Sequence, residues 1–385
     1  MNPLLVAGQD ALPPGAAPRH LHFLDVLRGV AAQLIVLHHL AFYGPMSDHV
    51  RPSAPLLIGW LEMHARIAVQ IFLVIAGFLA ARSLAPDGLV RVAAGLPRKV
   101  ARRYLMLAPP FTLAMLLAVG ASAWAGRWMT HDSLSPVPTL AQLAAHALLL
   151  HGVLDFDSIS AGAWYVAIDF QLYVLLVLLV WTCARAAPGR PGAGHWLLPA
   201  AVTLGMCASL FWFNRNAGLD VWGVYFFGSY GLGALAWWAS APAVGARPRR
   251  LLVAAMLVPT GVALALDFRS RIALALLTAG FIAWAARGTL PRRFAAPAPL
   301  RWLGRISYSV FLVHFSVSMV VNAAFTRYAP ASAGWQGLGM ALAWAASILG
   351  GAAFFRLVEQ PLSRLFDPVA SVAAALPCAN VLPVG

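Results

Sequence analysis

The sequence predicts an all-α, polytopic integral membrane protein with about ten transmembrane helices. Of its 385 residues, 61% are hydrophobic and only 10% are charged, and the mean hydropathy is +0.76. A soluble domain has about a quarter of its residues charged. The apolar residues form runs of roughly 20, the length that an α-helix needs to cross a bilayer. The basic residues gather in every second connection between these runs, as they do in multi-pass membrane proteins.

The distribution of basic residues also predicts the orientation. The net charge of +14 would on its own suit a nucleic-acid partner. However, 20 of the 27 Lys and Arg residues fall on the same side of the membrane as the N-terminus, and seven fall on the other. The positive-inside rule places the basic side in the cytoplasm. We therefore expect both termini to be cytoplasmic, the protein to lie in the inner (cytoplasmic) membrane with the bilayer as a partner, and no nucleic acid to bind.

The chain is expected to divide into three parts. Residues 1–20 are predicted to form a disordered cytoplasmic arm. Residues 21–366 are predicted to form a single transmembrane domain, and 367–385 a flexible tail. The run 140–151 is apolar but too short to span, so it predicts an interfacial or re-entrant helix. The ten spans are predicted at about 23–43, from 57–66 to 84, 102–126, 164–184, 196–213, 221–239, 250–267, 271–288, 303–327 and 335–358.

The first predicted span carries several polar side chains. An ionisable group inside a span is costly, so it usually faces a cavity, a partner or a substrate path. Arg28 and His39 are eleven residues apart, which places them on one helix face, roughly 16 Å apart along the axis. Asp25 precedes Arg28 by three residues and is expected to pair with it or to cap the helix. His38 points about 100° away from His39 and is therefore predicted to be a packing residue.

Depth along the helices predicts which polar residues meet. At 1.5 Å per residue, His39 lies roughly 24 Å from the inner end of its span, and Asp169 lies about 7–8 Å from the outer end of its own. The two are expected at similar depth, where they would pair, unless Asp169 only bridges helices through hydrogen bonds. His314 is expected near the midplane. Gln70 and Gln171 are expected at the depth of His39 and Asp169, in the outer half of the membrane. Asp25, Arg28 and Glu359 are expected near the cytoplasmic end.

A cluster of basic residues precedes the third predicted span. Arg98, Arg102 and Arg103 are expected on the cytoplasmic side, where they serve the topology. Arg is also suited to binding phosphate groups, because its planar guanidinium donates paired hydrogen bonds. No metal is expected, because the cysteines match no metal-binding or disulfide spacing; they are Cys183, Cys207 and Cys378.

Six short stretches of the sequence follow the order of motifs in a known family. They are LDVLRGVAAQLIVLHH with Arg28 and His39, IFLVIAGFL with Ala76 in place of Ser, RRYLMLAPPF with Met106 in place of a second Arg, WYVAIDFQLY with Trp164, Asp169 and Tyr173, ISYSVFLVHF with His314, and Glu359-Gln360-Pro361. Over about 21–366 they resemble the membrane-bound acyltransferase-3 family, in its stand-alone membrane form. In the fourth stretch Phe170 replaces a second acid, so one carboxylate remains.

The resemblance implies an O-acetyltransferase that uses acyl-CoA. Acetyl-CoA would enter from the cytoplasm, and the acceptor would be a sugar hydroxyl on a lipid-linked or cell-surface polysaccharide, such as an exopolysaccharide or lipopolysaccharide. His39 would be the general base or the acyl carrier, Asp169 would orient it, and His314 would be a second acid/base or an oxyanion donor. Donor phosphates would bind Arg28, Arg98, Arg102 and Arg103, and the acceptor would contact Gln70, Trp164, Gln171 and Tyr173.

A second function remains open from the same residues. A proton-coupled transporter or exporter of a small solute would use the intramembrane His, Asp and Arg side chains as a relay. The transporter would move solute without acyl-CoA and would tolerate loss of the basic cluster, whereas the enzyme would require those arginines.

Overall fold

The computed structural model describes residues 21–88, 95–186, 194–242, 244–289 and 297–366. These ranges contain helices and no strand, which confirms the predicted all-α class. The arm predicted at 1–20 and the tail at 367–385 lie outside the described residues. The helices are α1 (His22–Phe42), α2 (Pro45–Val50), α3 (Pro55–His64), α4 (Val69–Leu84), α5 (Leu96–Ala125), α6 (Leu140–Ala147), α7 (Ala163–Ala186), α8 (Gly194–Phe211), α9 (Gly223–Ser240), α10 (Ala246–Leu266), α11 (Ser270–Trp284), α12 (Ala298–Arg305), α13 (Ser307–Tyr328), α14 (Ala333–Phe354) and α15 (Gln360–Phe366).

Nine helical stretches within the described ranges are long and apolar enough to cross a membrane. This confirms a polytopic membrane protein, whereas the orientation of its termini stays a prediction. The remaining predicted span, 221–239, coincides with α9, which has 18 residues and is not among these nine. Nearly every residue of α9 is buried, against α4 and α8 among others.

Two glycines allow α4 and α9 to pack closely. A Cβ atom at Gly77 of α4 would overlap the carbonyl oxygen of Tyr230, and one at Gly233 of α9 would overlap that of Val74. Membrane helices often meet through such small residues, because packing rather than water exclusion drives their association. The close approach at Gly77 and Gly233 therefore helps to hold α9 inside the bundle.

Three predicted boundaries differ in the structure. The second span is broken into α3 and α4 by a 3₁₀ turn, Ala65–Ala68. The third begins at Leu96 rather than near 102, where Gly95 adopts a left-handed conformation (φ +79°) and Pro97 occupies the first turn, a position that proline tolerates. The span predicted at 303–327 is divided, because short α12 ends before α13 begins.

The run predicted as an interfacial or re-entrant helix at 140–151 forms only the eight-residue helix α6. Its first turn is capped by Thr139, whose hydroxyl accepts a hydrogen bond from the amide of Gln142 at 3.1 Å. Such a cap supplies one of the partners that the first amides of a helix lack. α6 packs against α5, and the residues after it turn towards α7.

Candidate active site

A cavity of about 590 Å³ lies between α1, α4, α5, α7 and the α12–α13 corner. Small-molecule sites commonly have volumes of about 300–1,000 Å³. Five basic side chains and only two acidic ones line it, so the cavity favours an anion. These side chains are Arg28, Lys99, Arg102, Arg103, Arg305, Asp169 and Glu359.

One face of α5 provides much of the basic wall. Lys99, Arg102, Arg103 and Met106 all line the cavity, and their spacing of i, i+3, i+4 and i+7 puts them on a single helix face. Arg98, predicted together with Arg102 and Arg103 to bind the donor, is exposed and does not line this cavity. It lies off the face of α5 that carries Lys99, Arg102 and Arg103.

Arg28 reaches the cavity from α1 and has a free guanidinium. Among the described residues it makes no hydrogen bond and no ion pair within 4 Å. The expected close pair with Asp25 is not formed; a ring nitrogen of His22 lies 3.9 Å from the Asp25 carboxylate. An arginine without a protein partner, facing a cavity of this size, is available to a ligand anion.

Asp169 binds Arg103 and not His39, which overturns the predicted pairing. The Arg103 Nη2 donates a charge-assisted hydrogen bond to the buried Asp169 carboxylate. The guanidinium also lies over the ring of Tyr173, 5.6 Å from its centroid. Depth along two helices predicts similar height only, and α7 turns Asp169 towards α5. The carboxylate therefore lies in the wall of the basic cavity, not in a separate group with His39.

The partner of His39 is His314. The Nδ1 of His39 lies 2.7 Å from the Nε2 of His314, and the two rings are nearly parallel, with centroids 4.9 Å apart. The Nδ1 of His314 lies 2.7 Å from the carbonyl oxygen of Phe311. We refer to these two residues as the histidine dyad.

These hydrogen bonds determine the tautomers of a neutral dyad. A carbonyl oxygen only accepts, so the proton of His314 is on Nδ1 and its Nε2 accepts from the Nδ1–H of His39. The lone pair of His39 is then on Nε2, which has no hydrogen-bond partner in the described ranges. The adjacent His38 has a different environment, because its Nδ1 lies 3.1 Å from the carbonyl oxygen of Leu61 on α3.

An aromatic layer separates the basic cavity from the dyad. Phe72, Tyr165 and Phe311 all line the cavity, and their ring centroids lie 5.4–6.4 Å from one another. The ring of Phe311 is 6.0 Å from that of His314. The three aromatic rings thus lie between the basic cavity and the histidine dyad.

The remaining predicted residues have varied positions. Glu359, predicted at the cytoplasmic end with a structural or pairing role, lines the basic cavity and accepts a hydrogen bond from the hydroxyl of Ser309. Gln70 accepts a hydrogen bond from Ser229 at 2.6 Å between α4 and α9 and lines neither cavity described here. Tyr173 lines the basic cavity, and Trp164 and Gln171 line a second, smaller one.

Two basic residues of the cavity were not among the predicted site residues. Lys99 follows from the periodicity of α5 once its start is known, and it also donates a hydrogen bond to the carbonyl oxygen of Ser83 at 3.1 Å. Arg305 ends the short helix α12, and no sequence pattern separates it from the other arginines predicted to be cytoplasmic. Across the described ranges, no group of three or more His, Cys, Asp or Glu residues is placed to hold a metal ion.

Comparison with protein families identifies one domain in this sequence. A family model described as an acyltransferase domain, of the acyltransferase-3 type, matches residues 21–356. That range holds both histidines of the dyad and every residue that lines the basic cavity except Glu359. Searches against curated proteins and against solved structures gave no match.

Proposed function

The chain belongs to the acyltransferase-3 family, and on this premise we propose that this membrane acyltransferase moves an acetyl group from cytoplasmic acetyl-CoA to a sugar hydroxyl. The acceptor would be a lipid-linked or cell-surface polysaccharide, reached from the outer side of the inner membrane. One observation supports this function more than any other. A cationic cavity lies on one side of an aromatic layer, and on the other side lies His39, whose Nε2 has no hydrogen-bond partner among the described residues.

The basic cavity suits the phosphate groups of CoA. Arginine forms paired hydrogen bonds with phosphate oxygens, and such charge-assisted bonds are stronger than neutral ones. Arg28 is free to form them, and Arg102, Lys99 and Arg305 surround it. Arg103 is held in place by Asp169. We assign Asp169 to positioning of this donor site, because its carboxylate binds an arginine of the cavity wall.

The thioester would pass the aromatic layer to reach the dyad. Arg28 and His39 lie roughly 16 Å apart along α1, so an extended pantetheine arm would connect phosphates at one end with chemistry at the other. Phe72, Tyr165 and Phe311 offer apolar rings along this path. Such rings suit an uncharged arm and exclude water from the reacting groups.

The dyad supplies the base for acyl transfer. The acceptor hydroxyl would lose its proton to the Nε2 of His39 while the hydroxyl oxygen forms a bond to the acetyl carbon. The bond from that carbon to the CoA sulfur breaks, and the thiolate receives the proton from His39. His314 would hold the Nδ1–H of His39 and stabilise the imidazolium, in the position that a carboxylate occupies in a hydrolase triad. Its own Nδ1–H is bound to Phe311, which leaves no proton for an oxyanion.

Mass spectrometry of a reconstituted reaction tests this proposal. The purified protein in nanodiscs is incubated with acetyl-CoA and with glycans isolated from cells that lack the protein. We expect a mass gain of one acetyl group per modified sugar, which requires both acetyl-CoA and His39. The variant His38→Ala is the matched control, because it changes the adjacent histidine and leaves the dyad intact. If folded protein gives no mass gain that depends on acetyl-CoA, the proposal is contradicted.

A further inference from the structure

A second cavity of about 190 Å³ lies behind α7. Trp164, Ala167, Ile168 and Gln171 of this helix line it, together with residues of the connections before α7 and before α9. The basic cavity is lined instead by Tyr165, Val166, Asp169 and Tyr173 of the same helix. At 100° per residue the two sets occupy opposite faces of α7. The two cavities are therefore distinct sites that share one wall.

The second cavity contains a buried histidine that forms no hydrogen bond with the described residues. His151 is only 1% exposed, and both of its ring nitrogens lack a hydrogen-bond partner there. A buried polar group without a hydrogen bond costs stability, so an imidazole in this position, against a cavity, is available to a ligand. Among the described residues, the Asp220 carboxylate and the Trp164 indole N–H at this cavity also have no hydrogen-bond partner.

The local structure fixes the ring of His151. It stacks on the ring of His146, with centroids 4.1 Å apart. Both nitrogens of His146 are engaged, one 2.8 Å from the carbonyl oxygen of Gln142 and the other accepting from the amide of Ile159 at 3.2 Å. The turn around His151 holds two non-glycine residues in the left-handed region, Leu149 (φ +59°) and Asp155 (φ +58°). Such conformations are costly and often occur at functional sites.

The other walls are aromatic and firmly held. Trp164 stacks on Phe226, with centroids 5.5 Å apart, and is 38% exposed. Gln171, predicted to bind substrate, instead ties down the rim of the cavity. Its Nε2 donates to the carbonyl oxygen of Val221 at 3.2 Å, and its Oε1 accepts from the amide of Gly223 at 2.7 Å.

We propose that this second cavity binds one neutral sugar unit of the acceptor. Sugar hydroxyls both donate and accept hydrogen bonds, which matches the unbonded nitrogens of His151, the carboxylate of Asp220 and the indole N–H of Trp164. The apolar face of a sugar ring packs on an aromatic ring such as that of Trp164. No basic side chain other than histidine lines the cavity, so an anionic ligand is disfavoured there.

This sugar unit is not the one that reacts. From Trp164, three successive ring contacts of 5.4–6.2 Å pass through Tyr165 and Phe311 to His314. The bound unit would therefore belong to a longer glycan whose reacting hydroxyl lies nearer the dyad. Its assignment to the acceptor rests on the proposed function, but binding of a sugar there does not.

Ligand-observed NMR tests the site without any acyl donor. Saturation-transfer spectra are recorded for the full-length protein in nanodiscs with D-glucose, D-galactose and N-acetyl-D-glucosamine in turn. We expect saturable binding of at least one sugar, and about a tenfold weaker affinity in His151→Phe and in Trp164→Ala. His131→Phe and Trp212→Ala serve as matched controls, because both side chains lie outside this cavity, and their affinities should equal that of the wild type.

Thermal unfolding supplies the second readout for His151→Phe. Removing an unpaired buried imidazole should raise the melting temperature while sugar affinity falls, whereas loss of a merely structural histidine would lower the melting temperature. Absence of saturable binding by all three sugars, or unchanged affinity in His151→Phe, would overturn the inference. Sugar binding without acetyl transfer would refute the proposed function and leave the site standing. Acetyl transfer with an unchanged acceptor KM in His151→Phe would refute the sugar site and leave the proposed function standing.

Discussion

Two interhelical pairs in the same site differ in charge. Arg103 and Asp169 join α5 to α7 as an ion pair in the wall of the basic cavity. His39 and His314 join α1 to α13 as a pair of imidazoles beyond the aromatic layer. A buried charge is expensive unless an opposite charge compensates it, so the carboxylate lies with the arginines and the histidines pair with each other. The comparison separates the binding of an anion from the transfer of a proton.

The largest expected effect lies at the neutral pair. His39→Ala removes the Nε2 base and should lower kcat by about 10²–10⁴-fold, the usual contribution of a general base. His38→Ala should retain most of the activity, because its ring is bonded to the α3 backbone. Steady-state acetyl transfer by equal amounts of folded protein measures both variants. A larger loss in His38→Ala than in His39→Ala would break the assignment of the dyad.

A smaller effect is expected at the charged end. Arg102→Ala combined with Arg103→Ala removes two cavity-lining guanidiniums and should raise the KM for acetyl-CoA roughly 10- to 100-fold. Arg98→Ala should leave that KM unchanged, because Arg98 is exposed outside the cavity. Initial rates over a range of acetyl-CoA concentrations test both changes. Equal sensitivity of Arg98 and the Arg102–Arg103 pair would show that only the general charge of α5 matters.

The smallest expected effect concerns pH and the second cavity. Burial, with a smaller contribution from His146, lowers the pKa of His151 to about 4. The unfolded chain takes up this proton near pH 6.5, whereas the folded chain does so only near pH 4. The proton-linked cost of burying His151 is therefore absent above pH 6.5 and grows as the pH falls towards 4.

The melting temperature at pH 7 and at pH 5 measures this cost. The fall between pH 7 and pH 5 should be smaller in His151→Phe than in the wild type. His49→Phe changes an exposed histidine and should behave as the wild type. An equal fall in all three proteins would show that His151 is protonated in the folded state at pH 5.

Helix class and the main spans follow from the sequence because apolar length alone decides whether a segment can cross a bilayer. The common face of Arg28 and His39 likewise follows from helix periodicity. The partner of His39 does not, because axial depth leaves the rotation of each helix and the identity of its neighbours undetermined. Asp169 has the expected depth but turns towards α5.

Other differences have local causes. The start of α5 at Leu96 is about six residues earlier than expected, and Lys99 rather than Arg98 lies on the cavity face. Gln70 pairs with Ser229 because α9, rich in glycine, packs against α4. His151 follows an apolar run that resembles an interfacial helix, and only the fold reveals that both of its nitrogens lack partners.

The division between the two pairs is tested most directly by acetyl-CoA saturation curves for Asp169→Asn and His314→Gln. The account predicts that Asp169→Asn changes the KM for acetyl-CoA and keeps kcat within about threefold, because its carboxylate binds Arg103 and not the base. His314→Gln should lower kcat by roughly 10²-fold at an unchanged donor KM, because the tautomer of His39 is no longer fixed. A loss of kcat by orders of magnitude in folded Asp169→Asn, at an unchanged donor KM, would contradict the account and return Asp169 to the chemistry.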